Sequence, residues 1–431
     1  MKDKAITKMQ AIILIVIIAV AVIAGVYIVM TQFAPKAEVT ITVVTMWPGG
    51  NSRAGFDAAS EAFMEKYPYI TVQHSPLPIL EFNTIMPTRI RQDPPDVFQW
   101  WAGGKTAYLV EENLIMDLSD IEGTLRAEFS EGLYEEWMEY NGNPYCVPIK
   151  LNAHGFFYNK EVFAEYGVTV PQTWAELLDV CETIKTESQG EVYPFMVGAM
   201  FPWLPDLQFA NILGATTGSD LFYALLNSEA SWTDAKVVEA FQHYGELVSY
   251  MPPYISELGE IECSAELAAG TVAMDLAGQW RAQMCIESGM LDENLGFFKI
   301  PTINEEYANT LGMAVDILVA SKSTTHPEET KLYLEFMASP EAQRIISSVT
   351  MELSPSAKIG GADYNLTSLK QMAAYVPQAD NFVTEFGLSV ANDELKEDFR
   401  NILQEFLVDP APFDKIENYC ARIDDLDWRT D

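Results

Sequence analysis

Val39-Thr40-Ile41-Thr42-Val43-Val44-Thr45-Met46, followed by Trp47-Pro48-Gly49-Gly50-Asn51, is the stretch that decides the fold. A run this rich in β-branched residues reads as a buried strand, and the Pro-Gly-Gly break ends it. A helical pattern follows through Phe56, Ala59, Phe63 and Met64 and closes at Tyr67-Pro68. A second strand occupies Ile70–His74. Strand, helix and strand in this order predict a right-handed parallel unit with its loops at the carboxyl edge.

Working outward, Asp96-Val97-Phe98-Gln99-Trp100-Trp101 reads as a third strand, introduced by Pro94-Pro95 and ended by Gly103-Gly104. Helices are predicted over 173–186, with Thr173 as N-cap, over 327–338 and over 340–347. The β-α order resumes after Ile149, as a second lobe would require. A chain of 431 residues also exceeds one ordinary hydrophobic core, so two domains are expected.

The formal charge of −36 is spread along the chain and does not form a tail. Such a surface repels phosphate backbones and excludes nucleic acid as a partner; it also disfavours anionic solutes. The five cysteines show no CxxC or Cys/His metal spacing, so no metal or cofactor is expected. Outside a membrane a disulfide is possible, with Cys263 and Cys285 the first pair to test. Buried free thiols are the alternative.

Compartment is read from the N-terminus. Lys2, Lys4 and Lys8 form a basic leader (1–8) before an uncharged apolar run at 9–30. As a helix that run would span about 33 Å, enough for a bilayer core. The basic flank places everything after it outside the cell. The run is long for a cleavable signal, Thr31-Gln32-Phe33-Ala34-Pro35-Lys36 is a poor cleavage context, and no lipobox cysteine follows. The reading is one N-terminal transmembrane helix, with 31–38 as linker. The leader also looks like an archaeal pilin-type signal, in which only the leader is removed.

Four ordered blocks carry a resemblance. The first is Pro95-Asp96-Val97-Phe98-Gln99-Trp100-Trp101-Ala102-Gly103 with Leu114-Ile115-Met116-Asp117-Leu118. The second runs from Tyr145 to Pro148, then Phe157-Tyr158-Asn159-Lys160-Glu161-Val162-Phe163, Gly167, Pro171 and Thr173-Trp174-Ala175-Glu176-Leu177. The third is Gly270-Thr271-Val272-Ala273-Met274-Asp275-Leu276-Ala277-Gly278-Gln279-Trp280. The fourth spans His326-Pro327-Glu328-Glu329 to Ser339-Pro340-Glu341-Ala342-Gln343. Together they resemble the family 1 extracellular solute-binding proteins of ABC transporters, the group containing maltose-binding protein.

The resemblance implies a type II periplasmic-binding-protein-like fold: two α/β lobes joined by a hinge of two or three crossings, with ligand clamped between them. Lobe one would be 39–149 plus 301–350, and lobe two 150–300 plus 351–431. It also implies a mono- or oligosaccharide ligand, a membrane permease as partner and no catalysis, with the outer part a monomer. The last 70 or so residues match the family less distinctly.

A pyranose offers in-plane hydroxyls and an apolar face, so stacked aromatics with amide and carboxylate partners suit it. Trp47 ends the first strand beside Gly49 and Gly50, whose backbone could approach a ligand. Trp100 and Trp101 alternate, so one should face the core and the other the cleft, with Trp101 preferred; Gln99 is a candidate hydroxyl partner. By the resemblance, Trp280 is a stacking aromatic, Trp203 lines the cleft, and Asn152 and His154 supply polar contacts; Asp316, after Gly312-Met313, is a further polar candidate. Arg281 is either a hydroxyl partner or half of a salt bridge, and Trp174 is set aside as core.

Other classes fit less well. A polyol, glycerol phosphate or peptide ligand stays open within the binding class. A secreted carbohydrate-active enzyme lacks any GxSxG, GxxxxGK[ST] or HExxH signature. A sensory ectodomain would need a signalling region, and none is read here. Asn365-Leu366-Thr367 is a glycosylation sequon.

Overall fold

The computed structural model describes residues 37–390, 393–409 and 413–426. The basic leader and the apolar run at 9–30 therefore lie outside the described residues. Among the described residues no helix is long and apolar enough to cross a membrane.

The opening unit is as read from sequence. β1 (Val39–Val44) pairs in parallel with β2 (Ile70–His74) and with β3 (Val97–Trp101). The helix Gly50–Lys66 links β1 to β2 and buries Phe56, Ala59 and Phe63, one stripe at helical spacing. A small hairpin, β4 (Glu139–Tyr140) and β5 (Asn143–Pro144), turns over Asn141-Gly142, both at positive φ. Asn-Gly is the pair that tolerates that geometry.

The hairpin leads into β6 (Val147–Asn159), every residue of which is buried. β7 (Tyr193–Met196), β8 (Val272–Gly278), β9 (Leu295–Phe298), β10 (Thr310–Ala320) and β11 (Asn381–Val383) complete the set. The strand order is β2-β1-β3-β10-β6-β8-β7, with β11 on β10 and β9 on β6. This path amounts to two sheets that share two strands. The first half of β6 pairs with β10, and the stretch from His154 to Asn159 pairs with β8 and β9. β10 joins β3 at one end and β11 at the other. The chain passes between the sheets a third time near Leu353, whose carbonyl accepts the Leu151 N–H at 3.0 Å.

Two apolar clusters flank the passage. One gathers Ile41, Phe63, Phe98, Ile317, Tyr333 and Met337; the other gathers Phe156, Phe195, Phe209, Phe241 and Phe298. The C-terminal helices, the region least distinct in sequence, complete the second cluster. Phe386 stacks on Phe222 at 4.6 Å and Phe406 meets Phe241 at 5.2 Å. The helix Trp174–Glu187 starts at a capping box between Thr173 and Glu176, and Trp174 is buried with its Nε1 donating to Glu246. The helices Pro327–Ala338 and Pro340–Thr350 match expectation except that the second runs one turn longer.

Of the two alternatives left open for the cysteines, the structure has the buried free thiols. All five cysteines are buried and free, Cys263 and Cys285 among them. Burial pushes the Cys285 thiol up to about 12, so it carries no appreciable thiolate at neutral pH.

Candidate binding cleft between the two sheets

The site grows from the shared strands. Lys150 and Asn152 alternate along β6, and Ala314 and Asp316 along β10. The register sets Lys150 opposite Asp316 and Asn152 opposite Ala314. With a period of two, these four occupy one face. Their neighbours Leu151, Ala153, Met313 and Val315 belong to an apolar cluster. The register slips by one residue between Asp316 and Ile317, leaving Ile149 as an extra residue on β6. A bulge there bends the strand and re-aims the side chains beside it.

A cavity of about 810 Å³ opens on that face. Trp47, Trp100 and Trp101 border it from the first sheet's side, and Trp203 and Trp280 from the second's. Lys150 Nζ sits 2.7 Å from Glu352 Oε2, with both side chains almost fully buried. It also lies 4.4 Å from the Trp47 ring centroid, a cation–π contact. Burial pushes the Glu352 and Asp316 carboxyls above their usual range, opposed by the Lys150 charge. Both oxygens of Asp316 accept amide donors, from Gln99 Nε2 at 3.3 Å and Asn152 Nδ2 at 3.1 Å.

On the far wall, a Cβ at position 278 would come within 1.9 Å of the Trp280 ring, so glycine is what lets the indole lie across the end of β8. Trp280 Nε1 donates to Glu260 Oε1 at 2.9 Å, and its ring stands 5.6 Å from Trp203. Lys105 lies 4.5 Å over the Trp101 ring at the opposite wall. The chamber thus offers flat apolar faces on both sides and a floor of charged and amide groups.

A family description of bacterial extracellular solute-binding proteins matches residues 49–344. The chain belongs to that family. An uncharacterized ABC transporter extracellular-binding protein of Pyrococcus horikoshii is 25% identical over 316 residues, covering 72% of this chain and 70% of the relative. The melibiose/raffinose/stachyose-binding protein MelE of Bacillus subtilis is 23% identical over 333 residues, covering 74% of each. Among solved structures, the bacterial solute receptor AcbH superposes with a TM-score of 0.80 at 17% identity, over 89% of this chain and 98% of that one. At that identity the likeness is one of fold: two α/β lobes around a cleft.

In this solute-binding protein the residues expected at the site separate into two groups. Trp47, Trp100, Trp101, Asn152, Trp203, Trp280 and Asp316 border the cavity. That both Trp100 and Trp101 do so corrects the expectation that one would face only the core. Both rings lean on Phe82 of the helix Ile79–Gln92, at 6.0 and 5.8 Å, so the end of β3 is not divided into a wet and a dry side.

The other five do not border the cavity. Gly49 and Gly50 sit at an exposed turn with nothing within 4 Å of a would-be Cβ. Gln99 is fully buried, its oxygen accepting from the Met46 N–H at 2.9 Å. His154 is 1% exposed, shares a hydrogen bond with Asn211 at 3.0 Å, and is pushed down to about 3 by burial, so it is neutral. Arg281 is corrected from hydroxyl partner to buried ion pair. Its guanidinium lies 2.7 Å from both Glu260 and Asp275 and donates to Ser264 Oγ at 2.6 Å.

Sequence reasoning passed over Lys150, Glu352 and Glu260. A lysine inside an unbroken buried strand was the available signal for the first. The other two follow helix and turn boundaries where nothing in the pattern marks a cleft.

Proposed function

We propose that the chain is the extracellular sugar-capturing subunit of an ABC importer. It closes its two lobes on a mono- or oligosaccharide and presents the loaded form to a membrane permease. The observation that carries this reading is the chamber itself. Indoles on opposing walls suit the two apolar faces of a sugar ring, while Lys150, Asn152, Asp316 and Glu352 on the floor suit its hydroxyls. The names of MelE and AcbH, one a melibiose/raffinose/stachyose binder and the other preferring β-D-galactopyranose, point the same way.

In this reading the passages through β6, β10 and Leu353 are the hinge, so the boundary expected at 300/301 moves into β10, whose first residues pair with β11 and whose last pair with β3. Residues 9–30 hold the protein in the membrane as a single-pass anchor with the lobes outside. The chemistry is binding without turnover.

The test is a thermal-shift screen of the full chain, kept in a detergent without a sugar headgroup, against mono-, di- and trisaccharides and against polyols, glycerol phosphate and peptides. A ligand that binds only the folded state raises the transition. Selective shifts with sugars are expected. A shift with a non-sugar solute alone would remove the sugar from this proposal. Incubation with the binding sugar followed by chromatography should return it unchanged, and a cleaved product would mean an enzyme.

A further inference from the structure

Two chains of hydrogen bonds reach the cleft floor from opposite sides and end on the same carboxylate. From the first sheet, the Met46 N–H donates to Gln99 Oε1 at 2.9 Å, and Gln99 Nε2 donates to Asp316 Oδ1 at 3.3 Å. From the second sheet and the third passage, the Leu353 N–H donates to Gln279 Oε1 at 2.6 Å. Gln279 Nε2 then donates to Asn152 Oδ1 at 3.4 Å, and Asn152 Nδ2 to Asp316 Oδ2 at 3.1 Å.

The direction of every bond is forced. A backbone N–H can only donate, so each glutamine must turn its oxygen toward the backbone and its NH2 toward the cleft. Asn152 is bound by the same logic, because it receives a donor and must pass one on. Asp316 is the only member that accepts at both ends. Gln99 and Gln279 are fully buried and do not border the cavity, whereas Asn152 and Asp316 do. All three chain passages and both sheets meet in this one relay.

Resting on the sugar-capture reading, we propose that Gln99 and Gln279 are positioning residues that aim the Asp316 carboxylate, one from each lobe, as acceptor for a ligand hydroxyl. With two fixed N–H donors on its inner lone pairs, the carboxylate keeps its remaining acceptor capacity for the cavity. A ligand that engages Asp316 is thereby coupled to Met46 in one lobe and to Leu353 at the third passage. Its affinity depends on side chains it never touches.

The test uses isosteric substitutions, Gln99→Glu and Gln279→Glu, with the affinity for the best sugar from the screen measured by calorimetry. Each variant keeps the oxygen that accepts from the backbone and loses the NH2 donor. In Gln99→Glu the lost bond is to a charged acceptor and should weaken binding roughly tenfold or more; in Gln279→Glu it is to the neutral Asn152 amide oxygen, and the loss should be about threefold to tenfold. The charged groups that face Asp316 are Lys150 on β6 and Glu352 at the third passage. Gln99→Glu adds a carboxyl against Asp316, so a shared proton can replace the missing donor at low pH. Its deficit should shrink at pH 5 and widen at pH 8. Because both chains end on Asp316, the double variant should lose less than the product of the two singles. Gln99→Met and Gln279→Met serve if a glutamate variant fails to fold, with the same sub-additive result expected.

Wild-type affinity in both folded glutamate variants at pH 8, or losses that simply multiply with no pH dependence, would overturn the assignment. Absence of any sugar binding by the wild type would instead bring down the capture reading, and this inference with it.

Discussion

Lys150 stands alone against two buried carboxylates, and removing it gives the sharpest test of the cleft floor. Its side chain is 5% exposed and that of Glu352 4% exposed, with 2.7 Å between Nζ and Oε2. Lys150→Met keeps most of the aliphatic stem but deletes the charge. Taking one partner from a buried pair costs about 3–5 kcal/mol, because the other charge is left without compensation. Against a total stability of about 5–15 kcal/mol, that is at least about a fifth of the whole.

The loss has a characteristic pH dependence. Burial already raises the Glu352 carboxyl, and Lys150 opposes the shift. Without the lysine the folded-state value climbs further above the unfolded one. The folded variant then binds a proton more tightly than the unfolded chain does, so its stability is full at acid pH and falls as pH rises toward that value. Urea unfolding, followed by tryptophan fluorescence and circular dichroism at pH 5 and pH 7.5, should show a small deficit at the first and the full deficit at the second. Lys150→Met combined with Glu352→Gln should recover most of it. A single variant within about 1 kcal/mol of wild type at pH 7.5 would refute the reasoning, as would a double variant no better than the single.

Four other outcomes are expected. Trp280→Ala should weaken sugar binding by about 1–2 kcal/mol in calorimetry, with the fold intact by circular dichroism. Gly278→Ala should match that loss, because its methyl would occupy the space of the Trp280 ring; combining the two should add nothing further. Burial, with the Asp206 charge nearby, lifts Glu385 from its usual 4.5 to about 7. The folded protein therefore keeps a proton that the unfolded chain releases, and stability falls between those pH values. Glu385→Gln should flatten that fall by up to about 3 kcal/mol in denaturant titrations. A thiol reagent should find no reactive cysteine in the native protein and five after unfolding.

Much of the architecture was legible because it is written in local patterns. β-branched runs gave β1 and β2, the Thr173/Glu176 pair marked a helix start, and Pro327 and Pro340 opened two more. Of the cleft, the tryptophans were legible because large aromatics at strand ends need a reason to be there. The polar floor was not. Whether Gln99 touches a ligand or a carboxylate depends on the register between β3 and β10, a pairing of residues more than two hundred positions apart. Arg281 and Trp280 are adjacent in sequence, yet one borders the cleft and the other is sealed beneath it by Glu260 and Asp275. No composition or spacing rule separates them.

β6 and β10 are not linkers laid between finished lobes; each runs through both sheets. Neither lobe could be excised as a free-standing unit, because cutting there would strip one sheet of its central strands and leave the next with unpaired N–H and C=O groups. Fragments divided at the hinge should aggregate through those open edges, and complementation from two co-expressed halves should succeed only with breakpoints in surface turns such as Asn141-Gly142.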